Sequence, residues 1–121
     1  MISKGHNLRE TNSSAVAHAE ICAIEEACKQ LRTWRLDDCT LYVTLEPCPM
    51  CSGAIINSRI KRVVYGAKDV IAGCCGSVLN VNNYPFNHSF EVAGGIMEME
   101  CAELLTAFFK EKRKQLKQYE I

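Results

Sequence analysis

The sequence predicts an α/β domain, a layered sheet with helices on its faces. Apolar residues recur at helical spacing in two separate stretches, one short stretch alternates as a strand does, and another is a β-branched and aromatic run. The central part runs strand, helix, strand, which implies a right-handed crossover and a parallel strand pair. With 121 residues, the chain is read as one domain spanning 1–121.

Met1 to Gly5 is short and weakly strand-like, and His6 to Ser14 is polar and reads as a loop. Ala17, Ile21, Ile24, Cys28 and Leu31 then mark one face of a helix, with Ser13 or Ser14 as its N-cap. Thr40 to Leu45 alternates Leu41, Val43 and Leu45 with Tyr42 and Thr44, a strand that Glu46-Pro47-Cys48-Pro49 breaks. Pro49 suits the first turn of a helix running to about Ser58. Arg62 to Tyr65 is a second strand. Gly66 to Ser89 is long and carries Gly, Asn and a Pro, which marks a functional or partly ordered loop. Phe90 to Ala93 reads as a short strand. The last helix aligns Met97, Cys101, Leu104, Leu105 and Phe108, then ends in Lys110, Lys112, Arg113, Lys114 and Lys117.

Composition narrows the function. Apolar residues make up 48% of the chain, which argues against disorder. No apolar run approaches the roughly 20 residues of a membrane helix. Met1 to Glu10 lacks the apolar core of a signal peptide, so a cytoplasmic location is expected. Eight cysteines are many for this length. In a reducing compartment they stay free, a subset binding metal and the rest packing as small hydrophobes. The formal net charge is zero, so nucleic-acid binding would rest on a local patch.

The chemistry lies in His18-Ala19-Glu20 and Pro47-Cys48-Pro49-Met50-Cys51. H-x-E followed by P-C-x-x-C is the known signature of zinc nucleobase deaminases. His18, Cys48 and Cys51 give three ligands and leave a fourth tetrahedral position for water, the mark of a catalytic zinc. Both clusters sit at predicted helix starts, where unpaired N–H groups favour thiolates. Two thiolates blunt the ion's acidity, so the water needs a base, and Glu20 is the candidate. An offset of two residues does not put Glu20 and His18 on one helix face, so the pair must straddle the helix start. A structural four-thiolate site of Cys48, Cys51, Cys74 and Cys75 is the competing reading. It needs adjacent cysteines on one ion and leaves H-A-E unexplained.

Further segments carry a family likeness: Gly5-His6-Asn7, Thr44-Leu45-Glu46-Pro47-Cys48, the run from Ser58 to Asp69, Gly76-Ser77, Phe86-Asn87-His88, and Cys101-Ala102 with Leu104-Leu105 and Phe108-Phe109. With these the chain resembles the tRNA-specific adenosine deaminases of the cytidine/deoxycytidylate deaminase superfamily. Free cytidine deaminases share the zinc signature but not, as a rule, V-V-Y-G-A-x-D or the F-F helix. The resemblance implies a three-layer cytidine deaminase-like fold, a mixed sheet with helices on both faces. It implies a zinc-dependent hydrolase that converts the wobble adenosine of a tRNA anticodon to inosine as a homodimer. Asn7 would then bond the flipped base, Asp69 the neighbouring sugar, and Phe108 and Phe109 would shape the RNA-binding edge. Turn chemistry is the alternative for Asn7 and Asp69, core packing for Phe108, and a solvated helix end for the basic residues.

Members of that family begin with a helix and a strand ahead of the region matching Met1. The resemblance therefore implies a chain lacking them, with Met1–Gly5 at a sheet edge. Apolar residues among Leu41, Val43, Leu45, Val63 and Tyr65 would be left uncovered. Ala54, Ile55 and Ile56 in succession exceed one apolar stripe, which fits an isologous partner. Two other functions stay open: a deaminase of a free base or nucleoside such as guanine or cytosine, and a non-catalytic zinc-binding remnant.

Overall fold

The computed structural model describes the backbone of residues 1–117 and side-chain surroundings as far as residue 111. In chain order the elements are α1 (Ala19–Leu31), β1 (Thr40–Leu45), α2 (Pro49–Ser58), β2 (Arg62–Ala67), a short 3₁₀ turn (Val81–Asn83), β3 (Glu91–Ala93) and α3 (Glu98–Lys117). The strands form one sheet in the order β1-β2-β3, both pairs parallel. The parallel β1–β2 pair and all three helices follow the sequence pattern.

Register sorts the residues between faces. Leu41 lies opposite Val63 and Val43 opposite Tyr65, and strand alternation puts these four on one face. Ile24 and Ala27 of α1 and Ile55 and Ile56 of α2 pack there with Val63, Tyr65, Leu36 and Phe90. On the opposite face Gly66 meets Cys101 of α3 so closely that no side chain fits between them. The result is three layers, α1 and α2, the sheet, then α3.

Several sequence expectations are corrected. Met1–Gly5 forms no strand. Ser3 Oγ donates to Ala23 O at 2.7 Å, and a Cβ at Gly5 would lie 2.5 Å from Ala19 O, so the segment lies along α1 rather than on the ladder. A groove of about 720 Å³ opens between it, α1 and the outer side of β1, floored by Ile24, Leu41 and Val43. With that segment off the sheet, all strand pairing among the described residues is parallel, where a mixed sheet was expected. Val63 and Tyr65 are buried, whereas Leu41, Val43 and Leu45 are half-buried.

The N-cap of α1 is His18, not Ser13 or Ser14. Residues 8–17 close on themselves instead, through Leu8 N to Ala17 O and Asn12 N to Leu8 O, both 2.9 Å. Ile55 and Ile56 are core residues, so α2 offers no spare apolar flank from that pair. The apolar face of α3 is only partly used. Cys101 and Leu105 are half-buried, while Leu104 and Phe108 are exposed. Lys110 is exposed, and the side chains of Lys112, Arg113, Lys114 and Lys117 lie outside the described residues.

Candidate active site

Two helix starts meet. His18 is the N-cap of α1 and Cys48 the N-cap of α2, both in extended backbone and neither using its side chain to cap. The main-chain carbonyls take that work, with Cys22 N donating to His18 O at 3.0 Å and Ser52 N to Cys48 O at 2.8 Å. Pro49 opens α2 with the missing N–H that a first helical residue can spare. Cys51 follows within the first turn, completely buried. Since β1 ends at Leu45, the Cys48 turn sits at the carboxyl end of the strands, where open α/β sheets place ligands.

His18 Nδ1 lies 3.7 Å from Cys48 Sγ and 3.5 Å from Cys51 Sγ. All three ligand atoms fall within 4.8 Å of one another, so a single metal ion could be held by them. Glu20, two residues into α1, lies close enough for its carboxylate to act on the Cys51 thiol. Burial pushes the Cys51 thiol well above its usual range, and the Glu20 charge and Cys48 add to it. Three polar groups packed this tightly favour a bound cation, which would take up the thiolate charge. Cys74 and Cys75 lie nearby but outside this group. The four-thiolate reading is therefore not the arrangement found. Burial and the Glu46 charge push the Cys75 thiol up to about 12, an inert structural sulfur.

The other predicted site residues take part in local contacts. Asn7 is exposed, and its Oδ1 accepts from Arg9 N at 2.9 Å, a local turn. Asp69 Oδ1 accepts from Ile71 N and Ala72 N, each 3.0 Å, which also makes a turn. Phe108 and Phe109 meet edge to face at 5.5 Å on α3, each about half exposed.

Sequence reading gave Glu46 no role of its own, placing it in a strand break and in a family-like segment. The residue is 1% exposed, and its carboxylate gathers four hydrogen bonds from the 69–77 loop. Burial raises its pKa, but bonds from Ser77, Asp69 and Cys75 outweigh this and hold it below the usual carboxylate range. An acidic residue ending an apolar strand ahead of a proline was the available signal.

Comparison with known proteins extends the likeness over almost the whole chain. A profile of the MafB19-like deaminase family matches residues 1–113. A tRNA-specific adenosine deaminase of Bacillus subtilis is 53% identical over 118 residues, 97% of this chain and 73% of that protein. A solved tRNA:A34 deaminase, described as editing A to I at the wobble position of transfer RNA, superposes with a TM-score of 0.78 at 40% identity, covering 84% of this chain and 75% of that one. A guanine deaminase from Nitrosomonas europaea superposes at 0.74 with 25% identity, over 86% of this chain and 63% of that one.

Proposed function

The chain belongs to the MafB19-like deaminases and, within them, to the tRNA-specific adenosine deaminases, and on that premise we propose that it deaminates adenosine to inosine at the wobble position of a tRNA anticodon. The observation that carries this is the His18–Cys48–Cys51 group with Glu20 against it. A zinc ion with ordinary Zn–N and Zn–S bond lengths has tetrahedral S···N edges of about 3.6 Å. The two Nδ1···Sγ distances, 3.7 and 3.5 Å, bracket that value and support zinc as the metal. When bound, zinc supplies the acidity that makes water a nucleophile at neutral pH.

The chain's own residues do the rest. His18 Nδ1 and the sulfurs of Cys48 and Cys51 hold the ion. The Glu20 carboxylate takes one proton from the attacking water and delivers it to N1 of the adenine ring. It then carries the second proton to the departing amino group, so that water and adenosine become inosine and ammonia. The base must be unstacked to reach Glu20, which selects a single-stranded loop nucleotide. Asn7 is assigned to the flipped base, Asp69 to the neighbouring sugar, and Phe108 and Phe109 to the RNA edge. The half-exposed rings of the last two, which could stack on bases, support their role.

The enzyme works as a cytoplasmic homodimer in this reading, and the chain 1–121 is read as a single domain. Val70 and Ile71, 79% and 87% exposed on the loop near the metal group, are the apolar surface a second copy would cover. A sedimentation measurement across micromolar concentrations checks this, and a monomer throughout refutes it.

The deciding experiment compares ammonia release from a tRNA anticodon stem-loop with release from free adenine, guanine and cytosine. Release from the stem-loop, lost about 10²- to 10⁴-fold in Glu20→Gln at unchanged zinc content, is the expected result. The likeness to a guanine deaminase favours a second reading, a free-base deaminase. Turnover of guanine alone would establish that reading and end the first.

A further inference from the structure

Glu46 is buried, and no cationic side chain among the described residues pairs with it. Among the described residues the only ion pair is Arg35–Asp37, on the surface. Both oxygens of the Glu46 carboxyl are met instead by donors of a single loop. Oε1 accepts from Asp69 N at 3.2 Å and from Ser77 Oγ at 2.5 Å, and Oε2 from Cys75 N at 3.0 Å and Ser77 N at 3.1 Å. The loop is shaped to reach it. Gly73 packs flat on the carboxylate, where a Cβ would strike Glu46 Cδ and Oε2 and lie 2.5 Å from Asp69 O. Gly73 N donates to Asp69 O at 2.8 Å, which closes the turn. Cys74 N donates to Pro47 O at 2.9 Å, which pins the loop to the residue before the Cys48 ligand. The Glu46 side chain therefore joins the end of β1 to both ends of the loop, and a backbone bond ties the loop to the ligand-bearing turn.

We propose that Glu46 is a positioning residue, the template on which loop 69–77 folds against the Cys48 turn, and that it fixes Asp69 at the substrate side of the metal group. The part of this concerning substrate rests on the function proposed above. The fold of the loop does not.

The chemistry of a glutamine at this position shows why a carboxylate is required. An amide has one acceptor oxygen where the loop offers donors to two. The Ser77 hydroxyl can reverse and accept from the amide nitrogen, which keeps Cys75 N and Ser77 N on the remaining oxygen. Asp69 N cannot reverse. Glu46→Gln should thus release the Asp69 end of the loop and leave the Ser77 end in place.

The test uses zinc-loaded full chains. In Glu46→Gln the amide of Asp69 should exchange with solvent about tenfold faster or more, with Cys75 and Ser77 little changed and one zinc per chain retained. Adding Ser77→Ala removes the rescuing hydroxyl and should spread the faster exchange to Cys75 and Ser77. For a parent that turns over the stem-loop, KM should rise about tenfold in Glu46→Gln with kcat within about threefold. A residue needed only for stability would instead speed exchange equally across α2 and the loop and lose metal. That result, unchanged exchange at Asp69, or an unchanged KM in an active parent would each overturn the proposal. Selective exchange at Asp69 supports it even if the parent is inactive on the stem-loop, a failure that counts against the function alone.

Discussion

Gly66 is where the middle strand and α3 touch, and replacing it with alanine tests that packing. The new Cβ would stand against Cys101 Sγ, 2.7 Å from Cys101 Cβ and 3.0 Å from Thr44 O. Neither a helix backbone nor the adjacent strand can yield that space, so α3 must retreat from the sheet. Overpacking of this kind costs about 1–3 kcal/mol. The loss of backbone freedom on replacing glycine in a strand offsets roughly 0.5–1 kcal/mol of it. A net cost near 1–2 kcal/mol should lower Tm by roughly 3–10 °C for a domain of this size. Calorimetry of the zinc-loaded protein reads it, with zinc content as the control, because the metal group lies at the starts of α1 and α2 instead of α3. Cys101→Gly removes both offending atoms. The double variant should therefore be more stable than the two single costs predict, by about 1 kcal/mol or more. A Gly66→Ala Tm equal to the parent's, or an additive double variant, would refute the proposed contact.

Other perturbations separate the roles of individual residues. Ile55→Ala empties a fully buried position between α2 and the sheet and should cost about 2–5 kcal/mol by denaturant titration. Tyr42→Ala, on a side chain 70% exposed, should stay within about 0.5 kcal/mol in the same titration. Cys51→Ala should abolish stoichiometric zinc by elemental analysis, and retention of one ion per chain would dismiss the three-ligand assignment. Asp69→Asn keeps the oxygen that accepts from Ile71 and Ala72, so its Tm should match the parent's. Asp69→Ala should lose about 0.5–1.5 kcal/mol.

Elements whose residues repeat at a clean period were legible in the sequence. Thr40–Leu45 alternates over its full length, and Pro49 announces the start of α2, so both were placed with correct limits. The start of α1 was not, because Ala17 continues the helical spacing although its backbone still belongs to the preceding turn. Local pattern cannot show that residues 8–17 close their own hydrogen bonds and leave His18 to begin the helix. The metal group was legible because its chemistry demands rare residue types in a fixed order. Glu46 was not, since its partners lie 23 to 31 residues away and three of its four donors are at least partly backbone groups of no special residue type. Exposure of Leu104 and Phe108 was hidden for a related reason. Amphipathic spacing states that a face is apolar but not that anything covers it.

The meeting of two helix starts has a topological consequence. His18 and Cys48 are 30 residues apart, and the span between them holds all of α1 and β1. An ion bonded to both ends would turn that span into a closed ring. By the chain-entropy estimate used for covalent cross-links, a ring of this length removes about 3.6 kcal/mol of freedom from the unfolded chain. A cation at the reaction centre would thus double as a removable staple across α1, β1 and the start of α2. Chelation would then be a mechanical event as much as a chemical one, reaching the core through the beginnings of both helices.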